Sequence, residues 1–119
     1  MWKINAVRIM CDFCAEGVWS VPAIANSTMD GFRVSEELWQ RIQAWQTWYE
    51  NQDVGLEFDP AFDWDGHTAE GYMIARAVKD ELPDWIVIYC DEQILNAKIA
   101  TGGFHWKWGH YVEITGLSQ

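Results

Sequence analysis

The sequence predicts an α+β fold: a small sheet of roughly three to five strands, covered on one face by two helices at about 36–51 and 67–82. Three observations predict it. Apolar residues recur at helical spacing in two segments, Leu38-Ile42-Trp45-Tyr49 and Gly71-Ile74-Ala75-Val78-Leu82. Two apolar, β-branched runs, Ile4 to Met10 and Trp85 to Cys90, read as strands. Finally, 119 residues, half of them hydrophobic, make a single domain over 1–119 with a real core.

Each element follows from local chemistry. Ile4 to Met10 forms the first strand. Gly17 to Pro22 holds a short second one that Pro22 ends or edges. Asn26 to Arg33 is rich in Asn, Ser, Thr, Asp and Gly and reads as a loop. Ser35 then stands at a helix N-cap, and Glu36 and Glu37 suit the positive end of the helix dipole. That helix runs from Glu36 to about Asn51, with Trp48 flanking its buried stripe and Trp39 about 100° away. Gln52 to Gly66 carries Gly55, Pro60 and Gly66 without a sustained period, so it reads as a long acidic loop. A second helix starts near His67 or Thr68, capped by Asp65 or Thr68, and ends at Leu82 before Pro83. The run from Trp85 to Cys90 lacks polar alternation, which predicts a central strand buried on both faces. Gln93 to Ala100 fits a strand or a short helix, and Thr101-Gly102-Gly103 is a turn. Trp106 to Thr115 reads as a last strand, with Gly109 at a bulge position.

Composition excludes several classes of function. Lys plus Arg is 8 and Asp plus Glu is 18, a formal charge of −10, and nine residues are Trp. So many aromatics exclude a disordered chain. So few basic residues argue against direct nucleic-acid binding. No apolar run reaches membrane-spanning length. Arg8 and Asp12 interrupt what a secretory leader would need, so a cytoplasmic protein is expected, with Cys11, Cys14 and Cys90 as free thiols.

Three motifs could carry chemistry. Cys11-Asp12-Phe13-Cys14 has the spacing of a redox pair or half a zinc site. The redox form needs a helix behind it, and Ala15 to Pro22 makes a poor one. Zinc needs further ligands, from Cys90 or from His67, His105 and His110, yet no second C-x-x-C or H-x-x-x-H is present. The thiols therefore read as structural. A zinc protein or metal-dependent enzyme built on Cys11 and Cys14 with Cys90 or a His is the alternative. Asp63-Trp64-Asp65-Gly66-His67 fails as a calcium loop, because Ala61 and Tyr72 occupy the two positions that must be acidic. His105 and His110 fall on opposite sides of a regular strand. No nucleophile elbow, phosphate loop or zinc-protease motif occurs. We therefore expect no cofactor, no metal and no catalytic residue.

Charge patterning is more informative. From Arg41 to Arg76 there is no intervening Lys or Arg, while Glu50, Asp53, Glu57, Asp59, Asp63, Asp65 and Glu70 all fall there and read as uncompensated. Trp45, Trp48, Tyr49, Phe58, Phe62 and Trp64 share the interval. Carboxylates steer a basic partner, and Trp side chains anchor it. The candidate partner-binding set is Trp48, Glu50, Asp53, Glu57, Asp59, Asp63, Trp64 and Asp65. The expected partner is a basic protein. Neither nucleic acid nor membrane is expected to bind directly, and the chain itself should be a monomer or weak dimer.

Two strings stand out: Arg8-Ile9-Met10-Cys11-Asp12-Phe13-Cys14 with Trp19, and Glu81-Leu82-Pro83-Asp84-Trp85-Ile86-Val87-Ile88-Tyr89-Cys90-Asp91-Glu92. Between them lies the helix with Leu38 and Ala44-Trp45. This arrangement, over about residues 5–92, resembles a set of small acidic bacterial proteins of unassigned function. That set offers no catalytic residues to carry over, and the tail from Gln93 falls outside it. In size and charge the chain is also similar to immunity proteins of bacterial toxin systems, such as contact-dependent inhibition. The second likeness implies a non-enzymatic inhibitor whose partner is a toxin domain, with a nuclease as one class that presents a basic face.

Overall fold

A computed structural model describes residues 3–12, 15–21, 24, 26–51, 61–94 and 111–115. Strand β1 (Ile4–Ile9) is the strand around which the sheet is arranged. Its neighbour β4 (Ile86–Cys90) runs parallel to it, pairing Ala6 with Ile86 and Ile9 with Tyr89. On the far side of β4, β5 (Tyr111–Ile114) pairs antiparallel, Cys90 against Tyr111 and Val87 against Ile114. The other edge of β1 is shared. The two residues of β2 (Val18–Trp19) pair antiparallel with Ile9 and Arg8, and those of β3 (Ser27–Thr28) pair parallel with Ile4 and Asn5. The order is β2-β1-β4-β5 with β3 beside β1, five strands in all among the described residues.

Strand β3 corrects the expected loop over Asn26 to Arg33. The Asn26 carbonyl accepts a hydrogen bond from Ile4 N at 3.0 Å, and Asn26 itself sits at φ 62, a left-handed conformation that Asn tolerates. Polar composition conceals such a strand, because a sheet edge needs only backbone groups. The rest of the segment does turn: Phe32 N bonds to Met29 O across Gly31, whose φ is +79.

Helix α1 (Glu36–Glu50) begins as expected, with Ser35 Oγ accepting from Leu38 N at 3.2 Å, and ends at Asn51. Its stripe of Leu38, Ile42, Trp45 and Tyr49 is buried. Helix α2 (Trp64–Glu81) starts three residues earlier than the expected His67, so Trp64, Asp65 and Gly66 leave the loop. Its cap is Asp63, whose carboxylate accepts from Gly66 N at 2.9 Å, and not Asp65 or Thr68. Gly66 belongs to this first turn because a Cβ there would collide with the Asp63 carboxylate. Leu82 closes the helix before Pro83, as expected.

Both helices pack on one face of the sheet. Val7, Ile9, Val87, Tyr89 and Ile114 meet Leu38, Ile42, Trp45, Tyr49, Ile74, Ala75 and Val78 in one core. Gly71 lets α2 approach β4, because a Cβ would strike the Tyr89 ring. Strand β4 is interior, yet the expectation that it is buried on both faces needs correction. Val87 and Tyr89 are buried towards the helices, whereas Ile86 and Ile88 are only half-buried on the other side. The apolar run reflects an interior position in the sheet, and among the described residues α1 and α2 cover one of its faces. Residues 92–94 turn into a helix, with the Asp91 carboxylate accepting from Gln93 N and Ile94 N. Residues 95–110, which include most of the expected short helix or strand, the first half of the last strand and Gly109, lie outside the described residues. No helix among the described residues is long and apolar enough to cross a membrane.

Candidate functional site

The antiparallel meeting of α1 and α2 places the C-terminal half of α1 beside the first turn of α2. An aromatic cluster forms there around His67, which is 1% exposed. Trp45 stacks on the imidazole at 4.9 Å between centroids and 12° between planes. Trp48, Phe62 and Tyr49 approach at 5.0, 5.3 and 5.8 Å. Trp45 Nε1 donates to the His67 carbonyl at 3.0 Å, and His67 Nε2 lies 3.2 Å from the Trp45 carbonyl. This reciprocal pair locks the two helices together. The sequence marked His67 only as a helix start and a spare ligand. Rings at 45, 48 and 49 on one helix face, followed by rings at 62 and 64, were the available signal.

The candidate binding residues sit on and around this cluster. Trp48 is 36% exposed and tilts against Phe62 at 5.9 Å. Trp64 is half-buried, edge-on to Phe62 at 4.9 Å and to Tyr49 at 6.4 Å. Asp63 and Asp65 are exposed, Asp63 serving as the cap and Asp65 accepting a bond from Gln93 Nε2 at 2.7 Å. Glu50, half-buried, is the last residue of α1. Trp48, Glu50, Asp63, Trp64 and Asp65 thus share one end of the helical hairpin. Asp53, Glu57 and Asp59 lie outside the described residues. Glu70, expected to be uncompensated, takes a bidentate pair of bonds from Arg41, at 2.6 and 2.7 Å.

Near this end, Gln46 is buried and clips the chain after β1. Its Nε2 donates to Asp12 O at 2.6 Å, and its Oε1 accepts from Asp12 N at 3.4 Å. The clip presents Cys11 to the cluster, its Sγ 3.7 Å from His67 Nε2. A thiol beside an imidazole can be a nucleophile, but here burial dominates both groups. It pushes the Cys11 thiol far above its usual value, with Glu92, Glu50 and Asp12 adding to the effect. It also lowers His67, against the opposing pull of the Trp45 carbonyl, Glu70 and Asp63. Both groups are neutral at pH 7, and Cys11 is 2% exposed, so the pair packs as a structural contact. Cys90 is buried and raised to about 12. Strand alternation points it away from the helices, so it does not converge with Cys11. Among the described residues, no three His, Cys, Asp or Glu side chains are grouped to hold a metal ion. Cys14, His105 and His110 lie outside them.

A five-stranded mixed sheet under a helical hairpin, with an acidic aromatic end, defines a small α+β fold. The family model described as Serratia CdiI immunity protein-like matches residues 5–92, and the chain belongs to that family. The match covers β1 to β4 and both helices and stops short of β5. No curated protein and no solved structure matches the chain. Of the two resemblances seen in the sequence, the family match bears out the one to immunity proteins of contact-dependent inhibition.

Proposed function

We propose that this protein is an immunity protein that binds a toxin domain and holds it inactive, with no catalysis of its own. The family match over residues 5–92 carries this reading. The docking surface we assign is the acidic aromatic end of the hairpin, with Trp48 and Trp64 as anchors and Glu50, Asp63 and Asp65 steering the partner, and to it we add Asp53, Glu57 and Asp59 from the intervening sequence. The partner that suits such a surface presents a basic face, as a nuclease does around its phosphate-binding site. The protein acts in this proposal as a cytoplasmic monomer or weak dimer.

The test is association with the toxin domain that co-purifies from the native host. Asp59→Lys and Asp65→Lys combined with Asp63→Asn remove the charge while keeping an N-cap residue at 63. We expect association to slow by about tenfold or more at low ionic strength, and the difference to shrink as salt is added. An unchanged association rate would remove this surface. Failure of the wild-type protein to bind or protect against any co-encoded toxin would remove the function itself.

A further inference from the structure

The face of the sheet away from α1 and α2 carries a cation held by two rings. Arg8 pairs in register with Trp19 on β2 and with Ile88 on β4, and Ile88 pairs with Glu113 on β5, so these four side chains share that face. Tyr111, opposite Cys90, is on it too. The Arg8 Cζ lies 5.7 Å from the Trp19 ring centroid and 5.5 Å from that of Tyr111, and Nη1 donates to the Tyr111 hydroxyl at 3.2 Å. We propose that this face is a second docking surface, on which Arg8 takes an aspartate or glutamate side chain of a protein partner.

Arg8 is set for a carboxylate. Tyr111 stands on β5, two strands from β1, so the Arg8 side chain crosses β4 to reach it. Lying along the sheet buries Nε, which has no hydrogen-bond partner among the described residues. Arg41 shows what the Nε–Nη2 edge of a guanidinium does in this protein, gripping Glu70 with both nitrogens at 2.6 and 2.7 Å. On Arg8, Tyr111 engages Nη1 and leaves that edge for an incoming carboxylate, whose second oxygen would satisfy the orphaned Nε. The two rings hold the guanidinium in place beforehand, and Trp19 is itself fixed by its Nε1 bond to the Met10 carbonyl at 2.9 Å.

Charge and residue type select the occupant. Glu113 shares this face but is exposed, and Arg8 Nε stays unpartnered beside it. From Gln93 to Val112 the sequence contains no Asp or Glu and contains Lys98 and Lys107, so the connection into β5 brings Arg8 no counter-ion. That stretch reverses the acidity of the rest of the chain, which favours an acidic group over a basic one. Arg8, Trp19 and Tyr111 are half-buried, so the cradle reaches the surface, with half-buried Ile86 and Ile88 on the same face. Arg, Trp and Tyr beside apolar side chains have the composition of a protein-binding hot spot, which favours a protein's carboxylate over a free anion.

The test needs no toxin. N-acetyl-glutamate amide and N-acetyl-glutamine amide have nearly the same shape, and only the first is charged. Titrated at constant ionic strength into ¹⁵N-labelled protein, the glutamate probe should shift the Arg8 Nε–H and Trp19 indole resonances saturably. The glutamine probe should bind at least about fivefold more weakly. Arg8→Gln should erase the difference between the probes. Glu113→Gln leaves Arg8 in place and removes an exposed negative charge from the same face, so it should strengthen the glutamate probe by about twofold. Equal affinity for the two probes overturns the proposal, as does a difference that survives Arg8→Gln or weaker binding in Glu113→Gln. Inorganic phosphate that binds there as tightly as the glutamate probe overturns it as well, because any anion would then serve. The sheet lies between this face and the hairpin, so none of these outcomes bears on whether a toxin docks at the acidic end.

Discussion

His67 shows how one residue sets the chemistry of its surroundings. Its folded pKa is lowered by burial below the unfolded value of 6.5. The unfolded chain therefore takes up a proton that the folded protein resists, and stability falls as pH drops below about 6.5. Glu92 behaves in the opposite sense. Burial, with Asp12 and Asp91 nearby, raises it from 4.5 to about 7. The protonated form is favoured on folding, so its contribution is full below about pH 4.5 and is lost as pH rises through 7. Glu92→Gln should therefore raise stability at pH 8 by on the order of 2 kcal/mol and change little at pH 4.5. His67→Gln should flatten the loss between pH 6.5 and 5, read from urea midpoints. A Glu92→Gln variant less stable than wild type at pH 8 would contradict the assigned burial. Neither residue announces this role in the sequence. Both are polar side chains whose surroundings exist only once β1, α1, α2 and β4 are assembled.

At the scale of elements, the sequence was legible wherever one segment carried its own signal. Helix α1 has a capping Ser35, acidic residues behind it and an apolar stripe, and all three appear in the structure. Strands β1 and β4 were visible as apolar runs. The start of α2 is hidden in the sequence, because Gly66 has the character of a loop residue and only the Asp63 cap beneath it makes it helical. Strand β3 is invisible in the sequence, because two backbone-paired residues leave no side-chain pattern. Local devices give sharp predictions here. Asp63→Ala should cost about 1 kcal/mol through loss of the cap, and Asp63→Asn much less. Gly71→Ala should cost about 1–3 kcal/mol, because the added Cβ drives the Tyr89 ring out of the core. Thermal unfolding measures both. A neutral Gly71→Ala would mean that α2 and β4 are not in the close contact described.

For the whole molecule, the charge of −10 acts on folding and on binding in opposite directions. The acidic end of the hairpin was readable in advance as composition: carboxylates and rings in an interval without Lys or Arg. What composition could not show is which charges are already spent, as Glu70 is on Arg41, and which rings are structural, as Trp45 is on His67. The charges left over repel one another in the compact state, and that repulsion is long-ranged at low ionic strength. Added salt screens it, so raising NaCl from about 20 mM to about 500 mM should raise the melting temperature by a few degrees. Two ion pairs, Lys3 with Asp30 and Arg41 with Glu70, are exposed or partly so, and their weakening by salt is small against that gain. The same salt removes the steering of a basic partner, so the association rate should fall over the same range. Measured together, the two curves separate general acidity from a docking surface. If melting temperature rises while association is indifferent to salt, the acidity serves only solubility and folding, and the docking surface must lie elsewhere.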